Sequence, residues 1–129
     1  MPFVRITVVA PALGPKQVTH LQDGFTNLME SILGKVGSLT SVLVEQLQTA
    51  SWTIGRGPLH IAAHVHATVT AGTNSASEKA RFIEAAMNLL KEVLGPSLNA
   101  ATYVVVDEVN AQSWGYDGHT QESRRPQAA

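Results

Sequence analysis

The sequence contains no cysteine. Disulfides, thiolate nucleophiles and thiolate metal sites are therefore excluded, and thiols cannot report the redox compartment. Charge is also scarce: charged residues make up 15% of the chain and the formal net charge is -1. Without a positive field, nucleic acid and anionic membrane surfaces are set aside as partners. No apolar run approaches the roughly 20 residues of a membrane-spanning helix. The opening MPFVRITVVAPALG has no basic stretch before an apolar core, so it does not read as a secretory signal. A cytoplasmic protein is expected. Its 129 residues, 44% of them hydrophobic, fit one globular domain small enough to gain from burial against other subunits.

What is present is periodic. Over residues 3–9, apolar Val4, Ile6 and Val8 alternate with Phe3, Arg5 and Thr7, the period of a half-buried strand. After Pro11, Gly14 and Pro15, the residues Val18, Leu21, Phe25, Leu28, Met29, Ile32 and Leu33 recur at spacings of three and four. This predicts an amphipathic helix ending near Gly34 or Gly37, where glycine accepts a left-handed C-terminal conformation. A second strand is expected over 40–47, followed by SWTIGRG over 51–57, whose glycines suit a hairpin or tight loop.

The order then repeats. A strand over 60–70, a turn at Ala71-Gly72, a helix over about 75–94 and a strand over 102–109 lead into a loop containing Trp114 and Gly118. Ser75 and Glu78 have capping-box spacing, and Gly95 can end the helix. A shift of 61 superimposes Leu28, Leu33 and Gly34 on Leu89, Leu94 and Gly95; a shift of 62 superimposes Thr40, Val42, Val44, Ser51 and Trp52 on Thr102, Val104, Val106, Ser113 and Trp114. Duplication explains both the element order and the paired Ser-Trp. The expected fold is α+β: tandem β-α-β halves, about 2–58 and 59–118, forming a four-stranded sheet with two helices on one face. Residues 119–129 carry no apolar period and read as a polar C-terminal tail, mobile or an arm for assembly.

Met1-Pro2 leads directly into strand, helix and strand, with an aromatic before glycines, all within about sixty residues. This arrangement, and TYVVVDEVNAQSWGYDG over 102–118, resembles the 4-oxalocrotonate tautomerase family. The tandem form is similar to its fused members and to the cis-3-chloroacrylate dehalogenase group. The resemblance implies an N-terminal proline acting as general acid/base, no cofactor, a homotrimer, and a small-molecule carboxylate substrate.

The chemistry of Pro2 is also arguable from the residue. Removal of Met1 would leave a secondary amine, which no other backbone or side chain supplies; retention of Met1 would leave an unreactive amide. An α-amino group titrates near pH 8, and burial among apolar groups disfavours its cation, bringing it toward the range that general acid-base catalysis requires. The plainer reading is that Pro2 merely follows the initiator methionine.

The resemblance also exposes departures. Arginine is expected after the first strand, where Ala12 stands in the first half and Thr73 in the second. It is expected again at the start of the second strand, where Ser41 and Tyr103 stand. Those two remain candidates for substrate contact. Arg56, in the 51–57 loop, is the replacement cation expected to hold a carboxylate through a planar fork, presented by a neighbouring subunit, though an exposed loop cation is the alternative. Trp52 and Trp114 fall where the family has an apolar wall, and each suits subunit packing equally well. Ala63 stands where a second proline amine would be. Arg5 points away from Val4 and Ile6 and suits an interior or interface ion pair; Arg81 reads as solvent-facing.

His60, His64 and His66 share a strand face, but without a carboxylate or cysteine to complete a set, polar packing is expected and no metal site. Asp107 and Glu108 point to opposite faces and make a poor dyad. Gly55-Arg-Gly57 lacks the context of a nucleotide loop. The expected function is cofactor-independent keto-enol proton transfer on a small α-keto or enol acid. The alternatives are dehalogenation, hydration or decarboxylation on the same scaffold, or a noncatalytic trimeric homologue.

Overall fold

The computed structural model describes residues 2–48, 51–57 and 59–125. Met1, the expected half boundary at Pro58, and residues 126–129 lie outside the described residues. Strand β1 (Phe3–Val9) is followed by helix α1 (Pro15–Ser31) and strand β2 (Ser41–Gln46). Strand β3 (Ala62–Thr70), helix α2 (Ala76–Leu94) and strand β4 (Tyr103–Val109) repeat the unit. The sheet order is β2-β1-β3-β4, parallel within each half, with β1 and β3 antiparallel at the centre. The tandem β-α-β architecture expected from the repeat is therefore the one observed. Antiparallel pairing of β1 with β3 relates the two halves by an approximate twofold, so equivalent residues of the halves lie at opposite ends of the sheet.

Alternation sets the layers. Val4, Ile6 and Val8 of β1 and Val65, Ala67 and Val69 of β3 are fully buried and form one core with Leu21, Phe25 and Met29 of α1 and Phe82, Ala86 and Leu90 of α2. Phe25 and Phe82 meet edge to face with ring centroids 6.3 Å apart, an arrangement favoured by their quadrupoles. The other sheet face is left uncovered and carries Phe3, Leu43, Tyr103 and Val105.

The helix ends follow the sequence signals. The Gly14 amide donates to Gln17 Oε1 at 2.9 Å, with Pro15 opening α1. Gly34 adopts φ +68°, and the Gly34 and Lys35 amides close onto the Glu30 and Met29 carbonyls. At α2, Ser75 Oγ accepts from the Glu78 amide and the Glu78 carboxylate accepts from the Ser75 amide, the reciprocal capping box. Gly95, at φ +97°, ends it.

The C-terminal segment forms regular structure through residue 125. Strands β5 (Gly115–Tyr116) and β6 (His119–Thr120) form a hairpin, and a 3-10 turn covers Glu122–Arg124. The Gln121 amide donates to Trp114 O and the Glu122 amide to Ala111 O, while the Arg124 guanidinium lies 3.8 Å above the Tyr116 ring. Residues 119–125 are thus fastened to the domain by backbone bonds and a cation–π contact, interactions that leave no apolar periodicity to read. Among the described residues no helix is long and apolar enough to cross a membrane.

Candidate active site

Pro2 precedes β1 and its side chain is fully buried. Its carbonyl accepts from the Ser41 amide at 3.1 Å, and the register Phe3↔Thr68 sets Pro2 across from Val69 of β3. Two loops flank this strand end. Residues 32–40 run from α1 into β2, and residues 71–75 run from β3 into α2. They are tied by two bonds: Lys35 Nζ to Thr73 Oγ1 at 2.8 Å, and Asn74 Nδ2 to Leu33 O at 2.9 Å. Thr73 Oγ1 also reaches Thr70 O at 2.6 Å, locking the loop onto the end of β3.

The second-half tryptophan joins this end. Trp114 Nε1 donates to Thr70 Oγ1 at 3.2 Å, and the Ala71 amide pairs with Val109 O. A neighbouring depression of about 290 Å³ is lined by Ala71, Asn110, Ala111, Gln112, Glu122 and Arg125.

The other candidates lie elsewhere in the chain. Trp52 and Ile54 pack on Val9, Leu59 and Ala62 at the opposite end of the sheet. Arg56 is exposed in the same loop, at φ +67° beside Gly55 at φ +60°, the left-handed pair of a tight primed turn. Tyr103 pairs with His64, also toward the end away from Pro2, and is 69% exposed on the open sheet face. Within one chain, then, Ser41 and Trp114 come to Pro2 while Arg56, Trp52 and Tyr103 do not.

Lys35, which no local pattern in the sequence singles out, is half-buried by the fold, with its ammonium set on Thr73. Burial pushes the ammonium below its ordinary 10.5, while the Glu78 and Glu108 carboxylates oppose that shift. Glu78 is itself held below the ordinary carboxylate range, chiefly by the Ser75 amide and next by the Asn74 side chain.

The remaining polar residues sort by sheet face. Arg5 pairs with Glu45 at 3.2 Å on the open face, the ion-pair reading of that residue. His60 precedes β3, so only His64 and His66 share the open strand face. There they line a depression of about 440 Å³ with Phe3, Arg5 and Thr68, away from the Pro2 side chain. A carboxylate does reach this group: Asp107 contacts His66 at 3.0 Å, because the parallel β3–β4 register sets it diagonally across. Among the described residues no cluster of three or more His, Cys, Asp or Glu is placed to hold a metal ion. Glu108 turns to the helix face, where Lys79 meets it at 2.7 Å. Arg81 is exposed on α2.

This architecture and sequence have relatives. The family described as "Tautomerase enzyme" matches residues 64–124. "Probable tautomerase K2" of Dickeya dadantii (strain 3937) is 34% identical over 55 residues, 43% of this chain and 82% of that protein. Two solved structures share the fold at low identity. An "F6 fused 4-OT wild type asymmetric trimer" has TM-score 0.81 at 16% identity, covering 95% of this chain and 98% of that one. Pt0534 inactivated by 2-oxo-3-pentynoate has TM-score 0.84 at 13% identity, again covering 95% and 98%. The match to the Dickeya protein and the repeated β-α-β units together make this chain a member of the tautomerase family with two fused halves.

Proposed function

We propose that the protein is a cofactor-independent isomerase that moves a proton between oxygen and carbon of a small enol or α-keto acid, with Pro2 as general acid/base once Met1 is removed. One observation carries this reading: the fold buries Pro2 at one end of the sheet, whereas Ala63, its counterpart at the other end, can offer no amine. An amine enclosed by apolar side chains favours its neutral form. In that form it takes the enol O–H proton, and the resulting ammonium returns a proton to carbon. Trp114, fixed by Thr70, supplies the apolar wall, and Ser41 lies beside the reacting end.

In this reading the protein assembles as a homotrimer. The uncovered sheet face with Phe3, Leu43, Tyr103 and Val105 supports assembly, as does the trimer formed by a fused 4-OT of the same fold. Trp52, Arg56 and Tyr103, all remote from Pro2 in their own chain, then reach the Pro2 end of a neighbouring copy, where Arg56 engages the substrate carboxylate. Hydration, dehalogenation or decarboxylation would require a carboxylate free to activate water. Two carboxylates near the loops around Pro2 are engaged, Glu108 by Lys79 and Glu78 by Ser75 and Asn74, and a third, Glu30, lies against Gly37.

The test is intact mass after treatment with 2-oxo-3-pentynoate at neutral pH, followed by peptide mapping. The neutral amine adds to the alkyne carbon β to the ketone and its proton passes to the α carbon, so the mass rises by one whole reagent. Loss of Met1 with a single adduct on Pro2 is the expected result. A processed but unreactive Pro2, or a retained Met1, would replace this reading with a noncatalytic homologue.

A further inference from the structure

The geometry points to a second binding site, on the open sheet face: a receptor for a small organic oxyanion with a flat apolar body, of the aryl phosphate class, seated between Arg5 and His66. This site is independent of the chemistry of Pro2.

The strand register lays the face out as a grid. From β2 to β4 the middle row is Leu43, Arg5, His66 and Val105, with Phe3 and Thr68 beside its centre on one side and Thr7 and His64 on the other. The duplication runs through this grid. A shift of 61 sets Arg5 on His66, and a shift of 62 sets Glu45 on Asp107. The Arg5–Glu45 contact at 3.2 Å and the His66–Asp107 contact at 3.0 Å are thus one ion pair made twice. In both, the cation stands on a central strand and the carboxylate on an outer one.

That arrangement leaves donors without acids at the centre. Arg5 and His66 are directly opposite on antiparallel strands, where like charges repel. The depression of about 440 Å³ is lined by Phe3, Arg5, His64, His66 and Thr68 and, among the described residues, by no carboxylate. Glu45 meets Arg5 at Nε, which leaves both terminal guanidinium nitrogens for a bidentate oxyanion. Asp107 holds His66 at Nε2 and leaves Nδ1. His64 enters none of the ion pairs among the described residues. Phe3, 38% exposed, is an apolar wall for a flat ring. An anion seated here relieves the repulsion between the two cations and fills donors that their own carboxylates do not reach.

Other roles explain less. Both ion pairs are roughly half exposed, and pairs so screened add little stability. Contact between copies accounts for Leu43, Val105 and Tyr103, which stand on the outer strands, but not for a polar centre. The imidazoles gain the proton they donate to an anion between about pH 5 and 8. The titratable and charged groups around them are Arg5 from β1, Glu45 from β2, and Tyr103 and Asp107 from β4.

The test is titration of the protein with phenyl phosphate at about pH 6 and low salt, following the imidazole resonances by NMR. His64 and His66 should shift together and saturably, while His20 on α1 and His119 in the C-terminal hairpin stay in place. Phenol, the ring without the charge, should move none of them. Inorganic phosphate, the charge without the ring, should bind more weakly than phenyl phosphate. Arg5→Met should weaken phenyl phosphate about tenfold, the worth of one charge-assisted bond. His64→Gln, which leaves both ion pairs intact, should weaken it as well. Absence of saturation, equal shifts at His20 and His119, or wild-type affinity in both variants would overturn the proposal, and inorganic phosphate binding as tightly as the aryl ester would overturn the flat apolar body. The readout lies on imidazoles remote from Pro2, so an unreactive Pro2 leaves this result standing.

Discussion

Trp114 donates its indole N–H to the Thr70 hydroxyl across 3.2 Å, fastening the C-terminal hairpin to the end of β3 that lies beside Pro2. Trp114→Phe keeps the apolar ring and deletes the donor. It should lower stability by about 0.5–1.5 kcal/mol, the usual net value of one such bond, and loosen the wall beside Pro2. Urea midpoints measure the first effect and the rate of Pro2 alkylation the second. A variant as stable and as reactive as wild type would mean that the hairpin is held by its backbone bonds alone.

Ser75 caps α2 by accepting the Glu78 amide at 3.1 Å. Ser75→Ala should cost about 1 kcal/mol, read by thermal unfolding.

The pH dependence of Lys35 has a definite sign. Its ammonium titrates below 10.5 in the folded protein, so between the lowered value and 10.5 the unfolded chain binds the extra proton. Stability contributed by this residue therefore rises with pH across that window and levels off above it. Comparing urea midpoints of wild type and Lys35→Met at stepped alkaline pH should show the wild type gaining on the variant. A wild type that loses ground to the variant with rising pH would contradict the burial-driven shift.

Assembly through the open sheet face is tested at Val105, which is 36% exposed between strand neighbours and far from the core. Val105→Asp places a charge on that face without touching the helix layer. Light scattering coupled to size exclusion should show the wild type as a trimer and the variant as a smaller species with unchanged far-UV dichroism. If Arg56 acts on a neighbouring copy, the dissociated variant should also lose preference for an acidic electrophile.

The sequence alone determined the elements and their duplication, because strand and helix periods, the Ser75–Glu78 box and the glycines at 34 and 95 are local signals. It also marked Pro2, since the second position is the only one that can become a secondary amine. The ordering of residues 119–125 was not legible, because it rests on backbone bonds to Trp114 and Ala111 and on Arg124 stacking over Tyr116. Only the tertiary structure decided which candidates meet. Antiparallel pairing of β1 with β3 sends equivalent residues to opposite ends of the sheet, so Trp114 comes to the Pro2 end while Trp52 and Arg56 go to the other. The same pairing brings Lys35 onto Thr73, 38 residues away in the chain. Contacts at that separation obey sheet topology, which no local period encodes.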